Sequence, residues 1–220
     1  MEEQKKVYLD QVFSQSATNE FWAIRGKAIA SYAGVEQGLC MLFSVFADVK
    51  LDVASLIFFR IQNTKTLGEI FDLLLKKKHG EHYSVFWKSF DKTVRQLTET
   101  RNRIVHWSVA NNITGDGLAG LGLVPPDFWN MKMDQKQVTK DDLIEFMMKC
   151  DFVNRLCTMF FLYLQPETYP LRGAAAEQAP TWREIFQQPI VYPPPSSHPL
   201  CQIPKVPETP PPPSPASPQL

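Results

Sequence analysis

Residues 83–107 read YSVFWKSFDKTVRQLTETRNRIVHW, and the spacing of their apolar side chains is that of an α-helix. At about 100° per residue, one set of side chains forms a single apolar face: Trp87, Phe90, Val94, Leu97, Ile104 and Val105. Arg101 falls at the centre of that face. Arginine is rarely buried without a partner, because hydrogen bonds or an opposite charge must replace its lost hydration. The pattern predicts an amphipathic helix in which Arg101 is either paired with an acid or covered by another molecule.

Other helical segments lie on both sides of this stretch. The patterns predict helices at about residues 19–48, 52–62 and 65–78 before it, and at about 139–164 after it. Thr64 is expected to cap the third of these helices, and Thr139 with Asp142 resembles a capping box at the start of the last. Residues 1–165 are therefore predicted to form an all-α fold, an antiparallel bundle of four to five helices.

Two parts of the chain depart from the helical pattern. The connection at about residues 111–138 has four glycines, and we expect this irregular insertion to fold back as a short hairpin. Its G-x-G-x-x-G at residues 115–120 lacks the strand and helix of a dinucleotide site, so no cofactor is expected. Residues 166–220 hold sixteen of the eighteen prolines, which predicts a mostly disordered tail. The exception is Thr181–Phe186, whose amphipathic pattern predicts a turn that docks on the bundle.

Composition favours a cytoplasmic protein. The first ten residues are charged and show no apolar signal region, and no apolar run reaches membrane-spanning length. Cys40, Cys150 and Cys157 lie in apolar helical patterns and are expected to be reduced core thiols. His79 and His82 are separated by a helix-breaking glycine, so no metal site is expected.

The net charge is zero, but positive charge is concentrated near Arg101. Eight Lys or Arg residues and three acids lie between residues 76 and 106, an excess that suits a phosphate backbone. An ordinary solvated helix face is the alternative.

Within the first long helix, Glu36 lies in the middle of an apolar arc that also contains the following side chains: Trp22, Ile29, Cys40, Phe43 and Ala47. We expect Glu36 and Arg101 to pair or to share a polar pocket, or else to form a purely structural buried pair.

The pattern R-N-x-x-x-H formed by Arg101, Asn102 and His106 resembles the signature of the HEPN family of small all-helical ribonucleases and nucleotide-binding proteins. The resemblance covers about residues 20–165, including the long helix that carries Glu36. It implies a homodimer, because HEPN ribonucleases combine the motifs of two subunits into one composite site. Some toxins of the family carry a modifiable tyrosine two positions after the histidine. Ser108 occupies that position here, so regulation by that route is not expected.

The motif residues suit RNA cleavage without a metal ion. His106 would act as general base or acid near neutral pH, and Arg101 would hold phosphate oxygens as negative charge develops. Asn102 would position the imidazole or the ribose. Arg101 and His106 lie about 140° apart around a straight helix, and a two-fold dimer resolves this separation. The predicted RNA-binding side chains are Lys92, Arg95, Arg103 and Trp107.

These observations predict a metal-independent endoribonuclease of toxin or defence type that cleaves single-stranded RNA. An antitoxin protein is a candidate partner, and no DNA substrate is expected. One alternative is a catalytically silent HEPN-like dimerisation module that binds RNA, a nucleotide or a protein. Another is an adaptor in which the bundle anchors the proline-rich tail. For the motif itself, the alternative is that Arg101 and His106 are a pair of cations at a helix end that complement the C-terminal dipole.

Overall fold

The computed structural model describes residues 15–61, 63–114, 117–126, 137–171 and 174–201. Its helices are α1 (Gln15–Ala47), α2 (Leu51–Phe58), α3 (Thr64–His79), α4 (Ser84–His106), α5 (Lys140–Leu164) and α6 (Ala174–Ile185). The strands β1 (Ser108–Thr114) and β2 (Gly117–Val124) lie between α4 and α5, and a 3-10 turn covers Pro199–Cys201. The predicted all-α bundle is confirmed.

α1 is the central helix of the bundle. It packs most extensively against α5 and also contacts α2, α3 and α4. Residues 42–46 are all buried, which shows that this end of the helix is covered on several sides. The single apolar arc predicted for α1 is wrong at the other end, where Trp22 is 49% exposed and Ile29 is 37% exposed. Because different neighbours cover different parts of α1, one stripe does not describe its buried surface.

α4 follows its sequence pattern closely. Its buried side chains include five of the six predicted apolar residues: Trp87, Phe90, Val94, Leu97 and Ile104. Val105 is partly buried. The helix ends at His106, and Trp107 is already in an extended backbone conformation. The motif therefore occupies the last turns of α4, where the helix leaves the bundle and enters β1.

The helix caps are local and largely predictable. Thr139 and Asp142 form the expected capping box at the start of α5. The cap predicted for α3 is wrong by one residue, because Asn63 rather than Thr64 fills that role. The Asn63 side-chain oxygen accepts from the backbone N–H groups of Lys65 at 2.9 Å and Thr66 at 3.1 Å. Asparagine is the stronger capping residue, and it has the extended backbone that a cap requires.

The insertion before α5 contains the predicted hairpin. β1 and β2 pair in antiparallel register from Ser108 opposite Val124 to Thr114 opposite Gly117, so the hairpin begins three residues before the expected boundary. Leu123 is fully buried and exchanges backbone hydrogen bonds with Val138, at 2.8 and 3.1 Å. This bridge joins the hairpin to the start of α5. Residues 117–120 of the glycine-rich stretch belong to β2, whereas residues 115–116 and 127–136 lie outside the described part of the chain.

The C-terminal segment contributes to the core. The predicted docking of Thr181–Phe186 is confirmed, since Trp182 on α6 and Phe186 directly after it are buried. Further along, the backbone N–H of Ile190 donates to the Ser89 hydroxyl at 2.9 Å, and Tyr192 packs on the Phe152 ring. The prediction that the bundle ends at residue 165 and that a mostly disordered tail follows is therefore corrected for residues 174–201. Residues 202–220 lie outside the described residues.

The predicted core thiols Cys40, Cys150 and Cys157 are buried and free. Burial raises the pKa of Cys150 to about 12 and also raises that of Cys157. Both groups therefore remain thiols near neutral pH and behave as small apolar side chains.

α1 also meets the length and composition expected of a membrane-spanning helix over Thr18–Ala47. In the fold, 56% of its most apolar window is buried against the rest of the bundle. A core helix passes the same test of length and hydropathy, so this feature alone is weak evidence for a membrane span.

Gly38 allows α1 and α5 to approach closely. A Cβ atom at this position would lie 2.7 Å from Cys157 Cβ and 3.0 Å from Asn154 Oδ1. We expect Gly38→Ala to lower the free energy of unfolding by about 1–3 kcal/mol, because overpacking outweighs the gain in helix propensity. The control is Gly26→Ala on the same helix, where a Cβ meets nothing within 4 Å. That change is expected to raise stability by about 0.5–1 kcal/mol. Urea unfolding measures both effects, and equal effects would contradict the packing argument.

Candidate functional site at the end of α4

The motif residues lie on different sides of α4. Arg101 is partly buried and faces the bundle, whereas Asn102 and His106 are exposed. Arg101 and His106 are separated by about 140° around the helix, and Asn102 lies between them. The structure therefore places the three residues at one end of one helix but does not direct Arg101 and His106 to a common point within a single chain.

Arg101 lines a cavity of about 340 Å³ between α1, α2, α3 and α4, and Glu36 lines the same cavity. The Arg101 guanidinium lies 5.8 Å from the centre of the Tyr32 ring. Its Nη1 donates to Asn102 Oδ1 at 3.2 Å. These contacts hold the guanidinium at the polar end of the cavity.

Glu36 and Arg101 share this polar pocket, as the sequence predicted. None of the ion pairs within 4.0 Å among the described residues joins them. Burial raises the pKa of Glu36, and the positive charge of Arg101 opposes that shift. The carboxylate and guanidinium therefore influence each other through space, and both remain available to a third group.

Tyr32 completes the polar end of the cavity. Its hydroxyl lies 2.8 Å from Thr98 Oγ1, and the Thr98 hydroxyl donates to the Val94 carbonyl at 2.9 Å. Since the single Thr98 proton is used on Val94, Tyr32 must be the donor in the first bond. The Tyr32 oxygen keeps its capacity to accept a hydrogen bond from a ligand. Burial raises the pKa of this phenol, so it stays protonated.

Only some of the predicted RNA-binding side chains are accessible to a ligand. Lys92 and Arg103 are exposed on the outer side of α4, the same side as His106. Arg95 instead donates from Nε to Asp91 Oδ2 at 2.7 Å, beside Gly68 of α3. Trp107 is partly buried against the core, and the Arg103 guanidinium lies 5.7 Å from its ring. Lys92, Arg103 and His106 thus form one accessible strip, which we call the outer α4 strip.

Part of the local positive charge has structural roles. Lys76 pairs with Asp72 at 3.0 Å within α3. Lys78 Nζ donates to the Val45 carbonyl near the end of α1 at 2.7 Å. Arg95 is also paired, with Asp91, so fewer of the eight cations between residues 76 and 106 are available at the surface than the count suggests.

Arg25 is a component of the site that its sequence pattern does not reveal. Its Nε donates to the Ile104 carbonyl at 2.8 Å, and its Nη2 donates to the carbonyls of Val105 at 3.0 Å and Trp107 at 3.1 Å. These carbonyls are at the C-terminus of α4, where a cation is favoured by the helix dipole. The cation that complements this dipole from α1 is therefore Arg25, which fixes the last turn that carries His106.

Replacing Arg25 with methionine is expected to lower the free energy of unfolding by about 1.5–3 kcal/mol, because hydrogen bonds from a charged donor are lost. Amide hydrogen exchange should rise in the last turn of α4. Lys27→Met, which removes an exposed cation two residues away on α1, is the control and should change little. If both variants unfold at the same urea concentration as the wild type, Arg25 does not hold the end of α4.

The part of the chain that the structure describes contains no group of three or more His, Cys, Asp or Glu side chains placed to hold a metal ion. Comparison with protein-family models, with curated proteins and with solved structures found no match to this chain.

Proposed function

We propose that the protein is a cytoplasmic, metal-independent endoribonuclease of toxin or defence type that cleaves single-stranded RNA at a composite site in a homodimer. One observation carries the proposal: the last turns of α4 carry an exposed imidazole, His106, on the outer side of the helix and the guanidinium of Arg101 in a cavity on its inner side. The likeness of this motif to the HEPN signature supports the same conclusion, and an antitoxin-type protein is a candidate partner.

These two side chains match the needs of the reaction. The ribose 2′-hydroxyl attacks the adjoining phosphorus, so one group must accept its proton and another must stabilise the added negative charge. An exposed histidine accepts and returns protons near neutral pH. Arginine stabilises the phosphorane with its planar, permanently charged fork. Asn102, whose side chain already contacts Arg101, would orient the ribose or the imidazole.

A dimer would bring the two groups together. A two-fold axis near the end of α4 would place His106 of one subunit over the Arg101 cavity of the other. The surface beside the cavity supports such an interface, because Leu56, Ile57 and Phe59 are large apolar side chains that are exposed. Apolar groups concentrated in one surface region are typical of a protein interface. Lys92 and Arg103 would then contact the backbone of the bound strand.

A second candidate is a catalytically silent module with the same fold. The position of Arg101 favours it, because the guanidinium is held between the Tyr32 ring and the Asn102 side chain. In that case Arg101 stabilises the bundle, and the dimer binds RNA, a nucleotide or a protein without cleaving it.

The deciding experiment is incubation of the full chain with a mixed single-stranded RNA in the presence of EDTA. Cleavage that survives chelation and leaves 2′,3′-cyclic phosphate ends supports the enzyme. A DNA strand of the same sequence is the control and must remain intact, since it lacks the attacking hydroxyl. Intact RNA after incubation with folded, dimeric protein would favour the silent module.

A further inference from the structure

The cavity beside Arg101 has apolar walls and a polar end. Phe58, Phe59, Leu67 and Val94 contribute to the walls. Aromatic walls of this kind suit stacking against a base. The volume of about 340 Å³ lies at the small end of the range for ligand sites. Such a space suits one planar ring with hydrogen-bonding groups along an edge.

The carboxylate of Glu36 determines which base could bind with its hydrogen-bonding edge at the polar end of the cavity. This carboxylate makes no hydrogen bond within the described residues, and an ionised carboxylate is an acceptor only. Among the four RNA bases, guanine alone presents two adjacent N–H donors, at N1 and N2, on its Watson–Crick edge. Adenine and cytosine place an acceptor beside their amino group, and that acceptor would face the negative carboxylate. The Tyr32 oxygen, which lines the same cavity, adds an acceptor rather than a donor.

Arg101 supplies a positive charge that complements the phosphate of a bound nucleotide. One of its N–H groups donates to Asn102, and the remaining donors of the fork are free to hold phosphate oxygens. A nucleotide with its base in the cavity would carry its 3′-phosphate back towards the cavity mouth, where Asn102 is exposed.

From these contacts we propose that the cavity takes an unpaired guanine of the RNA strand. Glu36 accepts hydrogen bonds from N1–H and N2–H, and Arg101 binds the 3′-phosphate that is cleaved. The inference rests on the proposed function, because it assigns the cavity to the substrate of the same site. It requires single-stranded RNA, since pairing would occupy the edge that Glu36 contacts. Glu36 is then a specificity-determining residue.

Binding of the 3′-monophosphates of guanosine, adenosine, cytidine and uridine to the full chain tests this inference without requiring cleavage. We expect the guanosine nucleotide to bind about tenfold more tightly or better than the others, the discrimination of a bidentate base contact. Inosine 3′-monophosphate, which lacks the N2 amino group, should bind with intermediate affinity. This comparison uses only the wild-type protein, so it does not depend on the folding of any variant.

Glu36→Gln should remove the preference, because an amide presents one acceptor and one donor where two acceptors are needed. The ratio of guanosine to adenosine affinity should fall to about one, while phosphate binding through Arg101 persists. Glu99→Gln, an exposed acid on α4, is the matched control and should keep the ratio. Equal affinity for all four nucleotides, or an unchanged ratio in Glu36→Gln, overturns the inference.

The results also separate this inference from the proposed function. Guanosine selectivity that depends on Glu36 in a protein that leaves RNA intact would support the guanine site and reject the ribonuclease. Cleavage of RNA at every base, without nucleotide selectivity, would reject the guanine site and leave the ribonuclease supported. If the wild type cleaves after guanosine and Glu36→Gln cleaves after every base, both the guanine site and the ribonuclease are supported.

Discussion

Replacing Phe186 with alanine is expected to lower the free energy of unfolding by about 3–5 kcal/mol. The side chain is fully buried, with its ring centre 4.6 Å from that of Phe160, 5.1 Å from Phe86 and 5.3 Å from Tyr163. Its removal leaves a cavity between α4, α5 and α6 that the surrounding aromatic rings cannot fill. Chemical denaturation monitored by circular dichroism measures the loss.

Two comparisons locate the effect in the docked segment. Val191→Ala shortens an exposed side chain in the same part of the chain and should change stability by less than about 0.5 kcal/mol. A chain that ends after residue 165 should be strongly destabilised relative to one that ends after residue 201. Equal stability of the two truncated chains would show that Trp182 and Phe186 do not contribute to the core in solution.

His106→Ala is expected to reduce the rate of RNA cleavage by about 10²–10⁴-fold, the usual contribution of general acid–base catalysis. Arg101→Ala should reduce it by about 10²–10³-fold through the loss of charge stabilisation. His106 is exposed, so its replacement should leave the melting temperature nearly unchanged. Single-turnover cleavage of a labelled RNA in EDTA gives the rates.

The control histidine is His82, which is exposed in the turn before α4 and contacts Gln187 at 3.2 Å. Its replacement by alanine should leave the cleavage rate unchanged. Mixing His106→Ala with Arg101→Ala protein tests the composite site, since a heterodimer would contain one intact pair contributed by two subunits. Recovery of activity on mixing is expected, and its failure with confirmed subunit exchange would place both groups of each site in one chain.

Local interactions explain what could be predicted from the sequence. The apolar spacing of α4 predicted its buried face correctly, because helical periodicity depends only on residues a few positions apart. The capping box of Thr139 and Asp142 placed the start of α5 for the same reason. The sharing of one pocket by Glu36 and Arg101 was also predictable, since each is a charged residue at the centre of an apolar pattern and the two have opposite signs.

Contacts between residues that are far apart in the sequence explain the features that the sequence did not predict. Arg25 lies 79 residues from Ile104, and its pattern on α1 does not distinguish it from other exposed cations. The exposure of Trp22 follows from where the neighbouring helices cover α1, which its own spacing does not encode. The proline-rich composition after residue 165 predicted disorder, but apolar side chains such as Trp182, Phe186 and Tyr192 dock parts of residues 174–201 on the bundle.

The amino-acid sequence by itself determined the helical segments, the hairpin insertion and the clustering of Arg101, Asn102 and His106 at one helix end, because these depend on periodicity and spacing. Only the tertiary structure decided which neighbours each of these side chains has. It placed Arg101 in a cavity with Glu36 and Tyr32, left His106 on the outer α4 strip, and brought Arg25 to the end of α4. The packing of α1 against four other helices sets these positions, and packing between distant segments has no local signal in the chain.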